Sequence, residues 1–537
     1  MGILSSCLLG ILSFLPLSFY AGTQIYDIRS FSVDEGLSQS MAYCILQDSR
    51  GFMWVGTQDG LNRYDGQYFS VFKHNPKDPD TVVSDKFFSI YEDSDSRIWL
   101  GTDRGIDIYD PSLEKFTRFS LRCSDGTAVR SCIRHISKDA SGNIWIAGDG
   151  ASLFCFREGS RLEKYDIASY IEKEHISDPA MVSVRCVSAD GDILWMATTC
   201  GLMSMDLTDG SITHCSPRGS GVREATCIIP YMSDRILVGT ASCGVQIYDR
   251  NTRAFSDFLR YDPDSRSPLY VRKLLRASDG RIWIGTESGA YVYNTRDKSV
   301  SNFRHICGNP YSLSDNAVHS IAEDRDGGIW IGTYFGGINY FSTSCPFEKY
   351  FPVPGENSVS GRCVSEFCQD GSGTIWIATE DAGLDRFNPK TGKFAHVNLP
   401  VTNIHALMTH GNELWVGTFS GGLYVFDVRT GARKVYGSSA DGKSLASNDI
   451  YSIFRDSDGT VWVGTSAGLN RYDRKNDAFE AVCPEMISRQ VNDICEDWFG
   501  NIWIAVLGGE SIAMTEATAD GRTTVLQKMN QYSGRYA

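Results

Sequence analysis

A short pattern centred on tryptophan recurs eleven times along this 537-residue chain, and it restricts the fold more than any other feature. It reads GFMWVGTQDGLNRYD around Trp54, SRIWLGTDRGIDIYD around Trp99, GRIWIGTESGAYVYN around Trp283 and GTVWVGTSAGLNRYD around Trp462. The anchor positions are Trp54, Trp99, Trp145, Trp195, Leu237 in place of Trp, Trp283, Trp330, Trp376, Trp415, Trp462 and Trp503, spaced 39 to 50 residues apart. Self-similarity at this period marks a stack of supersecondary units, none of which can cover its own apolar faces.

Each unit reads as four strands. An apolar strand ending in Asp, as in Tyr451-Ser-Ile-Phe-Arg-Asp456, leads into a Gly-containing hairpin turn such as Ser457-Asp458-Gly459. In the next strand, Ile329-Trp330-Ile331 sends aliphatic side chains to one face and the indole to the other, so both faces need cover. A Gly, such as Gly60, Gly105 or Gly468, then permits the turn into a third strand, and a variable fourth strand carries an aromatic such as Phe116 or Phe479. A sheet packed between two like sheets meets the demand for cover, which is the arrangement of blades in a β-propeller.

The expected fold is therefore all-β: tandem β-propellers with four-stranded blades of about 45 residues. Eleven blades exceed the usual four to eight of one ring. Small residues and Pro346 interrupt the pattern after the seventh unit, which divides the chain into a seven-bladed propeller over 23–343 and a partial second propeller of four repeats over 344–537. Tyr26-Asp-Ile-Arg-Ser-Phe31 alternates like a strand and is placed to complete the seventh blade, closing the first ring. The last unit fades after Ala505-Val506-Leu507, and only Ile167 to Ile176 offers a short helix.

Residues 1–22 hold no charged side chain and read as an export signal peptide, with a retained membrane anchor as the alternative; no other stretch is apolar enough to span a bilayer. The chain is thus expected to be exported. Its formal charge of -14 repels phosphate backbones, which argues against nucleic acid as a partner. The 16 Cys show no zinc-ligand spacing, so no metal or cofactor is expected, and those in strands, such as Cys44 and Cys227, read as small buried hydrophobes.

The motif D-x-x-G-x-[IL]-W-[IV]-[GA]-T-x-x-G-[LI]-x-x-[YF]-[DN] resembles the two-component regulator propeller repeat of periplasmic sensors in hybrid two-component systems. The opening Phe31-Ser-Val-Asp-Glu-Gly-Leu-Ser38 and the linker Asn309-Pro-Tyr-Ser-Leu-Ser314 are similar to segments of those sensors, and the likeness runs over about residues 26 to 510. The resemblance implies two seven-bladed propellers, an immunoglobulin-like domain, a membrane helix, a histidine kinase and a DNA-binding output, with a homodimer in the full-length sensor. It also implies sensing of glycan breakdown products. Against that plan the second ring falls about three blades short and no kinase sequence follows, so the expected role is a sensor ectodomain or a fragment of one.

Nothing in the sequence forms a recognisable catalytic centre. Gly464-Thr-Ser-Ala-Gly468 matches a serine-hydrolase elbow, but it fills the same slot as Gly56-Thr-Gln-Asp-Gly60, and no helix follows it. The ten repeat tryptophans are scaffold. Bulky or charged residues in the turn after the Trp strand, where most units are small or polar, are the candidate ligand contacts: Arg104, Tyr334, Phe335 and Phe419. Aromatic faces beside arginine suit an oligosaccharide. The competing readings are a secreted propeller enzyme, a glycan lyase or glycosidase, and a protein-binding scaffold.

Overall fold

The computed structural model describes residues 28–78, 80–119, 131–157, 162–216, 222–342, 349–353, 355, 357–439, 443–482, 489–507, 512–516 and 525–528. The expected leader and the Pro346 interruption lie outside them. Among the described residues no helix is long and apolar enough to cross a membrane. The chain divides into two compact units, one from Ile25 to Lys349 and one that begins at Tyr350.

The first unit holds seven four-stranded antiparallel sheets, one for each repeat from Trp54 to Trp330. Blade 2 shows the pattern: Phe87–Glu92 is innermost, followed outward by Ile98–Thr102, Gly105–Asp110 and Lys115–Phe119. Blade 7 differs in one respect. Its outer strand is Ile28–Phe31, from the opposite end of the unit, with Phe31 opposite Ile338 and Ile28 opposite Phe341. The seven innermost strands pack one against the next, and Val318–Glu323 returns to Ala42–Gln47, so the ring is closed. The Ser320 hydroxyl donates to the Ala42 carbonyl at 3.2 Å across that last joint.

Blades adhere through the apolar faces of the Trp strands. Trp54 and Leu61 of blade 1 share a core with Phe87, Leu100 and Tyr109 of blade 2, all withdrawn from water. Close approach at this joint requires glycine: a Cβ on Gly56 would stand 2.7 Å from the Phe87 Cβ. The α-helix Ile167–Lys173, the one such helix among the described residues, is capped by Asp166, which accepts from the Ser169 amide, and buries Ile167 and Ile171 in the core shared by blades 3 and 4.

The second unit holds four such sheets, and their innermost strands, Val364–Gln369, Ile404–His410, Ile450–Arg455 and Val491–Glu496, pack in that order. Among the described residues no packing of like extent joins the last strand to the first. The consequence shows on blade 8. Val364 is 49% and Phe367 69% exposed, while Val318 and Ile321, at the same repeat positions in blade 7, are 0% and 3% exposed. Where the sequence repeat fades after Val506, strands Ile512–Glu516 and Val525–Lys528 still complete blade 11, because a ladder of backbone hydrogen bonds needs no particular side chains.

Candidate ligand-binding mouth

Every innermost strand of the seven-bladed unit starts with a β-bulge. Pairing with the Trp strand skips Tyr43, Phe88, Arg134, Arg185, Thr226, Arg272 and His319 in blades 1 to 7 respectively. A bulged residue leaves the regular alternation of the strand, which re-aims its side chain. Because the innermost strands line the central channel and the bulges sit at one end of them, these seven side chains circle one mouth.

Contacts run from one to the next. Tyr334 packs on His319 at 5.2 Å between ring centroids, His319 on Tyr43 at 5.5 Å, and Tyr43 on Phe88 at 5.1 Å. The Arg134 guanidinium lies 4.7 Å from the centroid of the Phe88 ring and donates to Asp149 through Nε at 3.0 Å and Nη2 at 2.7 Å. Ser183 adds a third donor to Asp149. Arg185 pairs with Glu224 at 2.7 Å, and Arg272 with Glu287 while stacking on Tyr270 at 4.8 Å. The result is an aromatic arc over blades 7, 1 and 2 facing three arginine–carboxylate pairs on blades 3, 4 and 6.

Titration follows from these contacts. Burial, and then the charge of Arg272, pull His319 down to about 4, so its imidazole is neutral at physiological pH, and its Nε2 is buried without a hydrogen-bond partner. Burial and the neighbouring Tyr334 push the Tyr43 phenol up. Burial works against ionisation of Asp149, but hydrogen bonds from Arg134 and Ser183 outweigh it and hold the carboxyl below its ordinary range. The mouth thus offers flat apolar faces, fixed planar donors and ionised acceptors. Among the described residues no cluster of His, Cys, Asp and Glu is arranged to hold a metal ion.

Of the residues expected from sequence, Tyr334 and Phe335 stand at this mouth, their rings 4.5 Å apart, with Phe335 75% exposed. Arg104 is exposed in the matching turn of blade 2, and its backbone amide donates to Thr102 Oγ1. Phe419 belongs to the second unit, where it packs 6.1 Å from His405, the bulged residue of blade 9. Sequence reasoning missed the bulged belt itself. Its signal was a fixed slot, eleven residues before the repeat anchor and ten in blade 4, filled by unlike residues.

A closed ring of four-stranded blades with a decorated channel mouth makes this a β-propeller protein. Residues 36–59, 81–104, 265–288, 312–335 and 444–467 match the family described as two component regulator propeller. The extracellular domain assigned to the hybrid two component system BT3049 of B. thetaiotaomicron superposes with a TM-score of 0.71 at 22% identity, covering 95% of this chain and 73% of that one. Over 70 residues, 13% of this chain, the sequence is 43% identical to Histidine kinase P4 of Formosa agariphila; the match spans 5% of that relative's length.

Proposed function

We propose that this chain is the exported sensing region of a hybrid two-component system and that the mouth of its seven-bladed unit binds an oligosaccharide. The observation that carries this reading is the bulged belt. Sugars present apolar C–H faces and a rim of hydroxyls, and the belt pairs aromatic faces with guanidinium and carboxylate groups fixed by one another. Such pre-ordering lowers the entropic cost of binding. The two-component regulator propeller repeat favours sensing over catalysis. Hydrolysis of a glycosidic bond needs a protonated carboxyl beside an ionised one, whereas Asp149 is held ionised by Arg134 and Ser183. In the whole sensor, ligand binding biases a dimer between two signalling geometries, and the kinase and DNA-binding parts lie outside this chain.

Titration calorimetry against a panel of plant and host glycan fragments, with product analysis of the same mixtures, tests the reading. Binding without conversion is expected, weakened at least about tenfold by Arg134→Ala and by Tyr334→Ala in proteins of unchanged melting temperature. Release of cleaved sugar would overturn it in favour of an enzyme.

A further inference from the structure

Further along the channel from the belt, the innermost strands of blades 3 to 6 line a cavity of about 240 Å³. Two lysines, Lys138 and Lys273, with His135 and Ser188, contribute to its wall, and no Asp or Glu does. Lys273 directly follows Arg272, the belt residue of blade 6, and His135 follows Arg134 in blade 3. The belt arginines all have carboxylate partners. Lys273 has none within ion-pair distance among the described residues, although it is only partly exposed. In a chain of net charge -14 this is a cation with no carboxylate partner facing the cavity.

Cys186 also lines the cavity. Burial opposes ionisation of the thiol, yet His135, 3.9 Å away, and Lys273 together bring it down to about 7. Cys227, on the neighbouring strand of the same wall, is pushed up by burial to about 12. What the cavity wall itself carries is two lysine ammonium groups and no carboxylate.

We propose that it receives the acidic substituent, a carboxylate or sulfate ester, of the oligosaccharide taken at the mouth, with the Lys273 ammonium as counter-ion. This inference rests on the oligosaccharide reading above and narrows it to acidic glycans. The volume supports a substituent over a whole ligand, since it falls below the roughly 300 Å³ at which ordinary small-molecule sites begin. A bound anion engages Lys273 and pushes the Cys186 thiol back up, which makes Cys186 a reporter of occupancy.

The test uses the full chain at constant ionic strength, with sodium glucuronate, methyl glucoside and sodium sulfate as probes in titration calorimetry. Glucuronate is expected to bind at least about tenfold more tightly than methyl glucoside, to lose that advantage in Lys273→Met and to keep it in Lys273→Arg. Sulfate should compete with glucuronate if the anionic group alone is recognised, and fail to compete if the sugar ring is required. Saturating glucuronate should slow the reaction of Cys186 with iodoacetamide, in which the thiolate sulfur displaces iodide, without slowing that of exposed Cys307. Equal affinity for glucuronate and methyl glucoside, undiminished binding by Lys273→Met, or unprotected Cys186 would each overturn the inference. If neutral oligosaccharides bind wild type and Lys273→Met alike and are lost with Arg134→Ala, the mouth reading survives and the acidic-glycan inference fails. Binding of sulfate alone, with no sugar bound, would overturn both.

Discussion

The indole Nε1 of Trp54 donates to the carboxylate of Asp48 at 2.9 Å, and both residues are buried. The same bond, to the Asp six residues earlier, occurs at Trp99, Trp145, Trp330, Trp376, Trp462 and Trp503. The Asp also accepts from the amides of the hairpin turn, as Asp48 does from Arg50 and Phe52, so one carboxylate fixes the turn and satisfies the buried indole. In blade 6 the position is Ala277, and in blade 4, whose hairpin is one residue shorter, the residue six before Trp195 is Ala189; the Nε1 atoms of Trp195 and Trp283 are buried without partners.

Replacing Ala277 by Asp should supply the missing acceptor and stabilise the first unit by about 1 kcal/mol, while Asp48→Ala should cost about 2–3 kcal/mol, since it strands a buried donor. Urea unfolding followed by tryptophan fluorescence reads both. A destabilising Ala277→Asp would show that the cost of burying the new carboxylate exceeds the gain from the indole hydrogen bond.

Burial pushes the Asp107 carboxyl up to about 6, against the opposing hydrogen bond from the Val83 amide and the charges of Arg118 and His74. At the matching positions of blades 1, 7 and 10 the residue is Asn62, Asn339 or Asn470. A folded value above the ordinary carboxylate value of about 3.9 means that the contribution of Asp107 to stability is full below about pH 4 and is lost as pH rises through 6. Asp107→Asn should therefore stabilise the protein by about 1–3 kcal/mol at pH 7 and hardly at all at pH 4. Thermal melts at the two pH values decide it.

Phe31 closes the first ring. Its ring stacks on Trp330 at 5.8 Å and packs on Tyr64 at 5.2 Å, joining blade 7 to blade 1. Phe31→Ala should cost about 3–5 kcal/mol, the usual loss for a large buried aromatic. Because it loosens the joint where the two ends of the unit meet, limited proteolysis should then begin in blade 7 or blade 1.

Phe367 and Ile321 occupy one repeat position in different surroundings, 69% against 3% exposed. Phe367→Ser should change the stability of the second unit by less than about 0.5 kcal/mol, while Ile321→Ser should cost the first unit about 3 kcal/mol or more. Equal losses on denaturant unfolding would mean that the face of blade 8 is covered in solution.

The four-stranded all-β repeats, their strand order within each hairpin and the closing strand near Phe31 were legible in the chain, because each rests on local rules. Alternation places Ile329, Trp330 and Ile331 on opposite faces, and turn glycines such as Gly105, at φ +124°, mark where the backbone takes a conformation that residues with side chains rarely adopt. The candidate mouth was legible only in part. Tyr334 and Phe335 stand out as bulky residues in a small turn, but their neighbours Tyr43 and His319 lie in the first and seventh blades and meet only because the ring closes. The bulges that turn Arg134, Arg185 and Arg272 toward the channel break the strand period without altering its hydrophobic pattern. Burial itself is decided by the neighbouring blade. Val364 and Phe367 carry the same pattern as Val318 and Ile321, and only packing against a further sheet separates a core position from an exposed one.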